Sequence, residues 1–285
     1  MTDKQNNRTI VQKANILYHS KLAETYDQTQ PQFSPENIPQ VRSRIENFAK
    51  MTNGNRLLDV GCGTGFISSL SHSIFEEVHG VDITPSMLYM ASSKFKKQCV
   101  KNVTLKQASS DDLPFADQYF DVAVAYGFLH HLPSLFPTFS EIYRVLKSGG
   151  IFYSDLDPNY YFWKSMKSLP EDGKNISELL EIERKSVCNM VKEVQNVVGD
   201  ILDEDTIKMA EYLKTEGGFK EDYIKDLLIE VGFKDVQYEY TWYWQQGKVI
   251  RDLSLDIANY FENHLRSALP VTRSFFKYVR IVAIK

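Results

Sequence analysis

Short apolar segments alternate with helical patterns of hydrophobic residues through the middle of the chain. The apolar segments predict strands at RLLDVG (56–61), EVHGVDI (77–83), VTLKQA (103–108), FDVAVAYGFL (120–129) and GIFYSDLD (150–157). Helical spacing predicts helices at GFISSLSHSIF (65–75), PSMLYMASSKFKKQC (85–99) and PSLFPTFSEIYRVLKSGG (133–150), the last ended by its glycines. This alternation is typical of βαβ units and of a parallel sheet buried on both faces.

Both ends of the chain extend the pattern. Residues 8–50 have helical spacing, which is interrupted near Pro31 and Pro35. Near the C-terminus, EDYIKDLLIEVGF (221–233) predicts a helix ended by Gly232. Strands are predicted at DVQYEYTWYW (235–244) and SFFKYVRIVAIK (274–285). We therefore expect an α/β fold with helices on both faces of the sheet.

Two stretches depart from this pattern and are predicted to be insertions. In residues 157–214, Asn175 is expected to cap a long helix, with Glu178 three residues later as in a capping box. One helical stripe follows, formed by Ile176, Leu179, Leu180, Val187, Met190, Val191, Val194, Val198 and Ile201. We expect this stretch to be an all-α cap. Residues 245–272 are too long for a hairpin turn and predict a second, smaller insertion.

Composition and charge narrow the class of protein. The chain has 285 residues, 43% of them apolar, which suits one large domain that carries insertions. Cys62, Cys99 and Cys188 are odd in number and widely spaced, so we expect no disulfide framework and a cytoplasmic location. No signal peptide or membrane span is predicted. The net charge of −4 argues against a nucleic-acid partner.

The stretch LLDVGCGTGF (57–66) joins the first predicted strand to its helix and carries three glycines at alternate positions. Parallel sheets bind ligands at the carboxyl ends of their strands, where glycine permits a tight turn and leaves room for a ligand. Asp59 lies where a dinucleotide site would hold a diphosphate, which its carboxylate would repel, so a ligand ending in an ammonium group fits better. Asp82, at the end of the second strand, is placed to accept hydrogen bonds from a ribose diol.

Four segments resemble, in this order, class I S-adenosylmethionine-dependent methyltransferases of the methyltransferase-11 type: LLDVGCGTG, VDITPSML, DDLPFADQYFDVAVAYGFLHHL and EIYRVLKSGG. The resemblance is close over residues 40–155 and extends as a pattern to 215–244 and 273–285. It implies a Rossmann-like seven-stranded, mostly parallel sheet that ends in a reversed hairpin. It also implies that residues 46–156, 215–244 and 273–285 form the core that binds S-adenosylmethionine, and that residues 1–45 form a helical lid.

The same resemblance implies a set of cofactor-binding residues: Asp59, Gly61, Cys62, Gly63, Gly65, Asp82, Ile83, Met87, Ser110, Asp111, Tyr126 and Tyr26. The glycine loop is expected to hold the methionyl end of the cofactor, with Asp59 near its amino group and Asp82 on the ribose. The acid with which the family often contacts the adenine is replaced by Ser109, so we expect that contact to pass to Ser110 and Asp111.

Catalysis and acceptor binding are assigned to the same edge of the sheet. His130 and His131 follow the fourth strand and are the candidate catalytic residues, because a histidine there could accept a proton near neutral pH. The family also uses histidine here for architecture alone. The candidate substrate contacts are Tyr18, His131, Asp157, Tyr160 and Trp163. For the aromatic rings we favour a simpler interpretation, in which they anchor the cap to the core. Asp155 and Asp157 alone do not predict a metal site.

The sequence favours a small-molecule methyltransferase whose acceptor binds between the core and the cap. An oxygen, nitrogen or carbon nucleophile is equally compatible with it. The alternatives are a tRNA or protein methyltransferase, which would need a basic groove, and a cofactor-binding protein without catalysis. An NAD-dependent oxidoreductase is disfavoured by Asp59 and by the glycine spacing. A homodimer is left open.

Overall fold

The computed structural model describes residues 3–192, 195 and 202–285. Seven strands form one sheet: β1 (Arg56–Val60), β2 (Glu77–Asp82), β3 (Val103–Gln107), β4 (Phe120–Tyr126), β5 (Leu146–Pro158), β6 (Lys234–Tyr243) and β7 (Phe276–Ile284). Their order is β3-β2-β1-β4-β5-β7-β6. Strands β1 to β5 are parallel, and β7 pairs antiparallel with β5 and β6. The predicted Rossmann-like sheet with its reversed final hairpin is confirmed.

Thirteen α-helices accompany the sheet in the described part of the chain. They are α1 (Asp3–Leu22), α2 (Tyr26–Thr29), α3 (Ile38–Thr52), α4 (Phe66–Ser71), α5 (Pro85–Lys97), α6 (Phe136–Val145), α7 (Tyr160–Lys167), α8 (Glu178–Cys188), α9 (Glu204–Ala210), α10 (Tyr212–Thr215), α11 (Glu221–Val231), α12 (Gln246–Asp252) and α13 (Leu255–Ser267). Within the residues that the structure describes, no helix combines the length and apolar character needed to cross a bilayer.

The hydrophobic core has two layers, one on each face of the sheet. Successive residues of a strand point to opposite faces, so Leu57 packs in one layer and Leu58 in the other. Helices α3 and α4 cover the Leu57 face, and α6 and α11 cover the Leu58 face. All residues of β4 are buried, which explains why this central strand is an almost unbroken apolar run in the sequence.

Two predicted helix ends differ from the structure. The helix predicted to end at Gly149 stops at Val145, and the glycines lie inside β5, where the pairing with β4 is irregular. Gly150 is needed there because a Cβ atom would lie 2.8 Å from the carbonyl oxygen of Lys147. In the cap, Ser177 is the N-cap of α8 and accepts a hydrogen bond from the Leu180 amide, so the predicted Asn175 cap is wrong.

The helical segments around the sheet pack against each other. Ala14, Tyr18 and Leu22 of α1 form one cluster with Leu202, Ile207 and Ala210. A second cluster holds α7 against α8 and comprises Phe162, Trp163, Met166, Val187 and Met190. Of the predicted cap stripe, Val194, Val198 and Ile201 lie outside the described residues. The N-terminal helix is therefore supported by the cap while it crosses the end of the sheet.

Candidate functional site

A cavity of about 720 Å³ lies at the carboxyl ends of β1, β2 and β4, with α1 and α2 above it. Its size is typical of a site for a small organic ligand. It brings together eleven residues predicted from the sequence: Tyr26, Asp59, Gly61, Cys62, Gly63, Asp82, Ile83, Ser110, Asp111, Tyr126 and His131. These residues come from five separate segments of the chain, and the fold brings them together around one cavity.

The loop after β1 is held by the carboxylate at the end of β2. Asp82 accepts hydrogen bonds from the amides of Gly63 and Thr84, at 2.9 and 2.8 Å. Gly63 has φ of +51°, and a Cβ atom there would meet nothing within 4 Å, because its free side faces open space. The loop therefore presents exposed backbone beside a carboxylate whose position is fixed.

Asp59 is almost fully buried beneath this loop. Its Oδ2 accepts hydrogen bonds from the backbone amide and the hydroxyl of Ser68, at 2.9 and 2.7 Å. Burial raises the pKa of Asp59 to about 7, although the bonds from Ser68 act in the opposite direction. Asp59 thus stabilises the first turn of α4 as well as lining the cavity, a role that we did not predict from the sequence.

Two predicted cofactor contacts lie outside the cavity. Gly65 is close to α5, because a Cβ atom there would be 2.8 Å from the ring of Phe95, and it does not line the site. Met87, on α5, is 1% exposed and is covered by its neighbours. The third glycine of the loop therefore serves the packing of α5, a role that the spacing alone did not suggest.

Helix α1 is bonded to the floor of the cavity. Arg8 forms an ion pair with Asp111 at 2.6 Å, and Gln12 donates to the hydroxyl of Ser109 at 3.0 Å. Asn15 donates to the carbonyl oxygen of His131 at 3.0 Å. Of the two residues expected to contact the adenine, Asp111 is therefore already paired with α1.

We did not predict from the sequence that residues of α1 line the cavity, although their spacing in the sequence indicates it. Arg8, Gln12, Asn15 and His19 all line the cavity. They recur at helical spacing beside the buried positions Val11, Ala14 and Tyr18, so they form one polar face. This polar face, and not Tyr18, closes the cavity.

The family comparison agrees with this geometry. A model of the methyltransferase-11 family, described as "Methyltransferase domain", matches residues 58–154. The matched stretch contains the glycine loop, Asp82 and His131. Residues 58–154 are therefore similar to the methyltransferase-11 family.

Curated relatives match this region over part of their length. The chain is 32% identical over 137 residues to a demethylmenaquinone methyltransferase of Alkalihalophilus pseudofirmus, which covers 44% of this chain and 58% of that protein. It is 34% identical over 109 residues to the uncharacterised methyltransferase YcgJ of Bacillus subtilis, at 36% and 43% coverage. The chain thus matches about half the length of these relatives.

Solved structures share the fold. The structure of YcgJ from Bacillus subtilis superposes with a TM-score of 0.53 at 19% identity and covers 87% of this chain and 98% of that one. Phosphoethanolamine N-methyltransferase 2 of Haemonchus contortus, solved with phosphomonomethylethanolamine and S-adenosylhomocysteine, gives a TM-score of 0.56 at 20% identity. It covers 94% of this chain and 60% of that one.

A second cavity of about 210 Å³ lies beside the main cavity and shares part of its lining. Tyr18 and His130 line this cavity and not the main one, whereas Tyr26 and His131 line both. Glu211 and Lys214, from the cap, form its opposite wall. The predicted residues Tyr18, His130 and His131 are therefore divided between two cavities that share part of their lining.

Each histidine has one ring nitrogen bonded to a neighbouring oxygen. Nδ1 of His131 lies 2.6 Å from the carbonyl oxygen of Ala210, so it carries the proton and Nε2 does not. Nδ1 of His130 lies 2.9 Å from the carboxylate of Asp157. Burial lowers the pKa of His130 to about 3 and that of His131 well below 6.5. Both rings are therefore neutral near pH 7, and burial disfavours the charged form that each would take on accepting a proton. Their catalytic role stays a prediction.

The remaining substrate predictions lie outside both cavities. Asp157 is fully buried and accepts hydrogen bonds from Ser154 and His130, and burial raises its pKa to about 8. Trp163 belongs to the core of the cap, and Tyr160 packs beneath the ammonium of Lys220 at 4.3 Å. Both aromatic side chains therefore pack against protein and line neither cavity.

Proposed function

We propose that this chain transfers a methyl group from S-adenosylmethionine to a small-molecule acceptor. The observation that carries the proposal is the cavity at the carboxyl ends of β1, β2 and β4. There the open side of Gly63 lies next to the fixed carboxylate of Asp82, under the cover of α1. Matches to named methyltransferases give the same class of reaction.

The charges of the cavity suit this cofactor better than a dinucleotide. Among the residues that line it, Arg8 is the one lysine or arginine, and it is already paired with Asp111. Asp59 would repel a diphosphate at the glycine loop, whereas a carboxylate near an ammonium group is favourable. Asp59 would lie near the amino group of the cofactor, and Asp82 near its ribose.

The residues of the cavity would bind and orient the cofactor and the acceptor, and they would exclude water. S-adenosylmethionine supplies an activated methyl group when it is bound. Holding an acceptor in line with that group can contribute several kcal/mol through effective molarity, about 7 kcal/mol or more for well-aligned groups. The contacts of α1 with Ser109 and with the carbonyl of His131 would keep water out during transfer.

The lining also limits the acceptor. Three aspartates and no unpaired cation line the main cavity, so a phosphorylated acceptor is disfavoured there. Val11, Phe128 and Leu132 add apolar surface. An uncharged, partly apolar nucleophile or an amine fits best. Of the acceptors in the relatives' names, demethylmenaquinone agrees better with this lining than phosphomonomethylethanolamine does.

The test is transfer of a labelled methyl group. The chain is incubated with methyl-tritiated S-adenosylmethionine and, separately, with a quinol, a set of amines and an RNA extract. We expect label in the organic-soluble or amine product, loss of transfer in Asp82→Ala, and retention in Asp112→Ala, whose exposed acid lies outside the cavity. Label in RNA, or no transfer by a chain that binds the cofactor, would contradict the proposal.

A further inference from the structure

Three buried side chains with metal-ligating atoms converge beside the main cavity. His130 and His131 follow β4, and Glu211 lies between α9 and α10 of the cap. One ligating atom from each lies within 4.8 Å of the others, and all three residues are buried. Nε2 of His130 is 3.7 Å from Oε2 of Glu211. These residues are about 80 positions apart in the sequence, which is why the pattern was not visible there.

The ring contacts leave the same nitrogen of each histidine available. Nδ1 of His131 is bonded to the Ala210 carbonyl, and Nδ1 of His130 is bonded to Asp157. In protein metal sites, a histidine that binds through one nitrogen usually gives the other to a carboxylate or carbonyl group, which fixes the ring. Asp157 and Ala210 are placed as such supporting groups.

Glu211 supplies a buried carboxylate at the same point. Its Oε2 lies 3.0 Å from the ammonium of Lys214, so a cation already faces this oxygen in the second cavity. A metal ion there would take the place of that ammonium and would also lie within reach of the two histidines.

We propose that His130, His131 and Glu211 bind a divalent transition-metal ion through two Nε2 atoms and one carboxylate oxygen. Two imidazoles and one carboxylate suit Zn²⁺, Co²⁺ or Fe²⁺ rather than Mg²⁺ or Ca²⁺, which prefer oxygen ligands. A tetrahedral ion with bonds of about 2.0–2.1 Å needs its ligands closer together than they lie here. The side chains must therefore approach by about 1 Å, and Lys214 must leave.

The ammonium of Lys214 can move towards the ring of Trp163 when a metal ion displaces it from Glu211. Its side chain is partly exposed, and its ammonium already lies 5.7 Å from the ring of Trp163. Three protein ligands leave one coordination position open. Because His131 also lines the main cavity, the open coordination position would face the region of the acceptor. Only this last statement rests on the proposed function.

The experiment measures metal binding without cofactor or acceptor, so it can fail independently of methyl transfer. Tag-free protein is stripped with a chelator and titrated with ZnCl₂ by calorimetry and with CoCl₂ by visible absorption. We expect one ion per chain and the intense d–d bands of a four-coordinate cobalt site. Glu211→Gln and His131→Ala should lose both signals, and Asp157→Asn should weaken binding by about 10–100-fold as a supporting residue.

Matched variants separate a specific site from general effects. Glu204→Gln, an exposed acid on the neighbouring helix, should bind as the wild type does. Lys214→Met should bind the ion more tightly, because it removes the competing ammonium, and should show that loss of a cap side chain does not itself abolish binding. Less than one ion per chain, or equal binding by wild type, Glu211→Gln and His131→Ala, would overturn the proposal.

Discussion

Asp59 is a buried carboxyl group beside a site that we propose to hold an ammonium group. Burial raises its pKa to about 7, so a large fraction carries a proton at neutral pH. A neighbouring ammonium would favour the ionised form. Below pH 7 the proton must be released before the pair can form, and cofactor affinity should therefore fall as the pH decreases.

We predict that S-adenosylhomocysteine binds about tenfold more weakly at pH 6 than at pH 8, since about one Asp59 in ten would be ionised at the lower pH. Calorimetry of the wild type and Asp59→Asn at both values measures this. The variant should bind more weakly than the wild type at pH 8 and show little change with pH. Equal affinity of the wild type at the two pH values would show that Asp59 does not contact the amino group.

At the scale of elements, helix α1 closes the cavity through a small number of polar contacts. Asn15 is buried and bridges α1 to the carbonyl oxygen of His131. Removing its side chain leaves that acceptor without a donor, at a cost of about 1–3 kcal/mol to the closed arrangement. The lid should then open more often.

We predict that Asn15→Ala releases S-adenosylhomocysteine about tenfold faster than the wild type, because about 1.4 kcal/mol of closure is lost. Stopped-flow displacement measures the rate. Lys13→Ala, on the exposed side of the same helix, is the control and should release the ligand at the wild-type rate. A dissociation rate that Asn15→Ala leaves unchanged would mean that α1 is not held by this contact.

The elements could be predicted from the sequence where burial makes the pattern simple. Strand β4 is buried on both faces, so its apolar run marks it directly. The end of α6 could not be located in the same way, because Gly149 and Gly150 resemble a helix stop but serve an irregular pairing within β5. The fate of a glycine depends on its neighbours in space, which periodicity does not show.

The same limit applies to the site. The residues at strand ends, such as Asp82 and His131, follow from the rule that parallel sheets bind ligands there. Glu211 belongs to the cap and meets the histidines only in the folded chain. Contacts between an insertion and the core have no local signal in the sequence. They are therefore the part of the site that the structure adds.

At the scale of the whole molecule, a buried ion pair fastens the reversed hairpin to the parallel part of the sheet. Arg280 of β7 donates to Asp155 of β5 at 2.7 Å, and both side chains are largely buried. The Asp155 carboxylate raises the pKa of Arg280 well above its usual value, against the effect of burial. Removing the arginine alone would leave a buried charge without compensation.

We predict that Arg280→Met lowers the free energy of unfolding by about 3–5 kcal/mol. Arg42→Met, which removes an exposed pair with Glu46 one helical turn away, should cost about 1 kcal/mol or less. Urea unfolding followed by circular dichroism compares the two variants. Similar losses would show that the buried pair does not hold the hairpin.

The most direct test is a calorimetric titration of the chain with S-adenosylhomocysteine and, in parallel, with NAD. We predict one binding site for S-adenosylhomocysteine, no detectable binding of NAD, and an affinity in Asp82→Ala that is lower by about 10–100-fold, the loss expected for a charge-assisted hydrogen bond. Binding of NAD at the glycine loop, or an unchanged affinity of Asp82→Ala for S-adenosylhomocysteine, would contradict the proposed site.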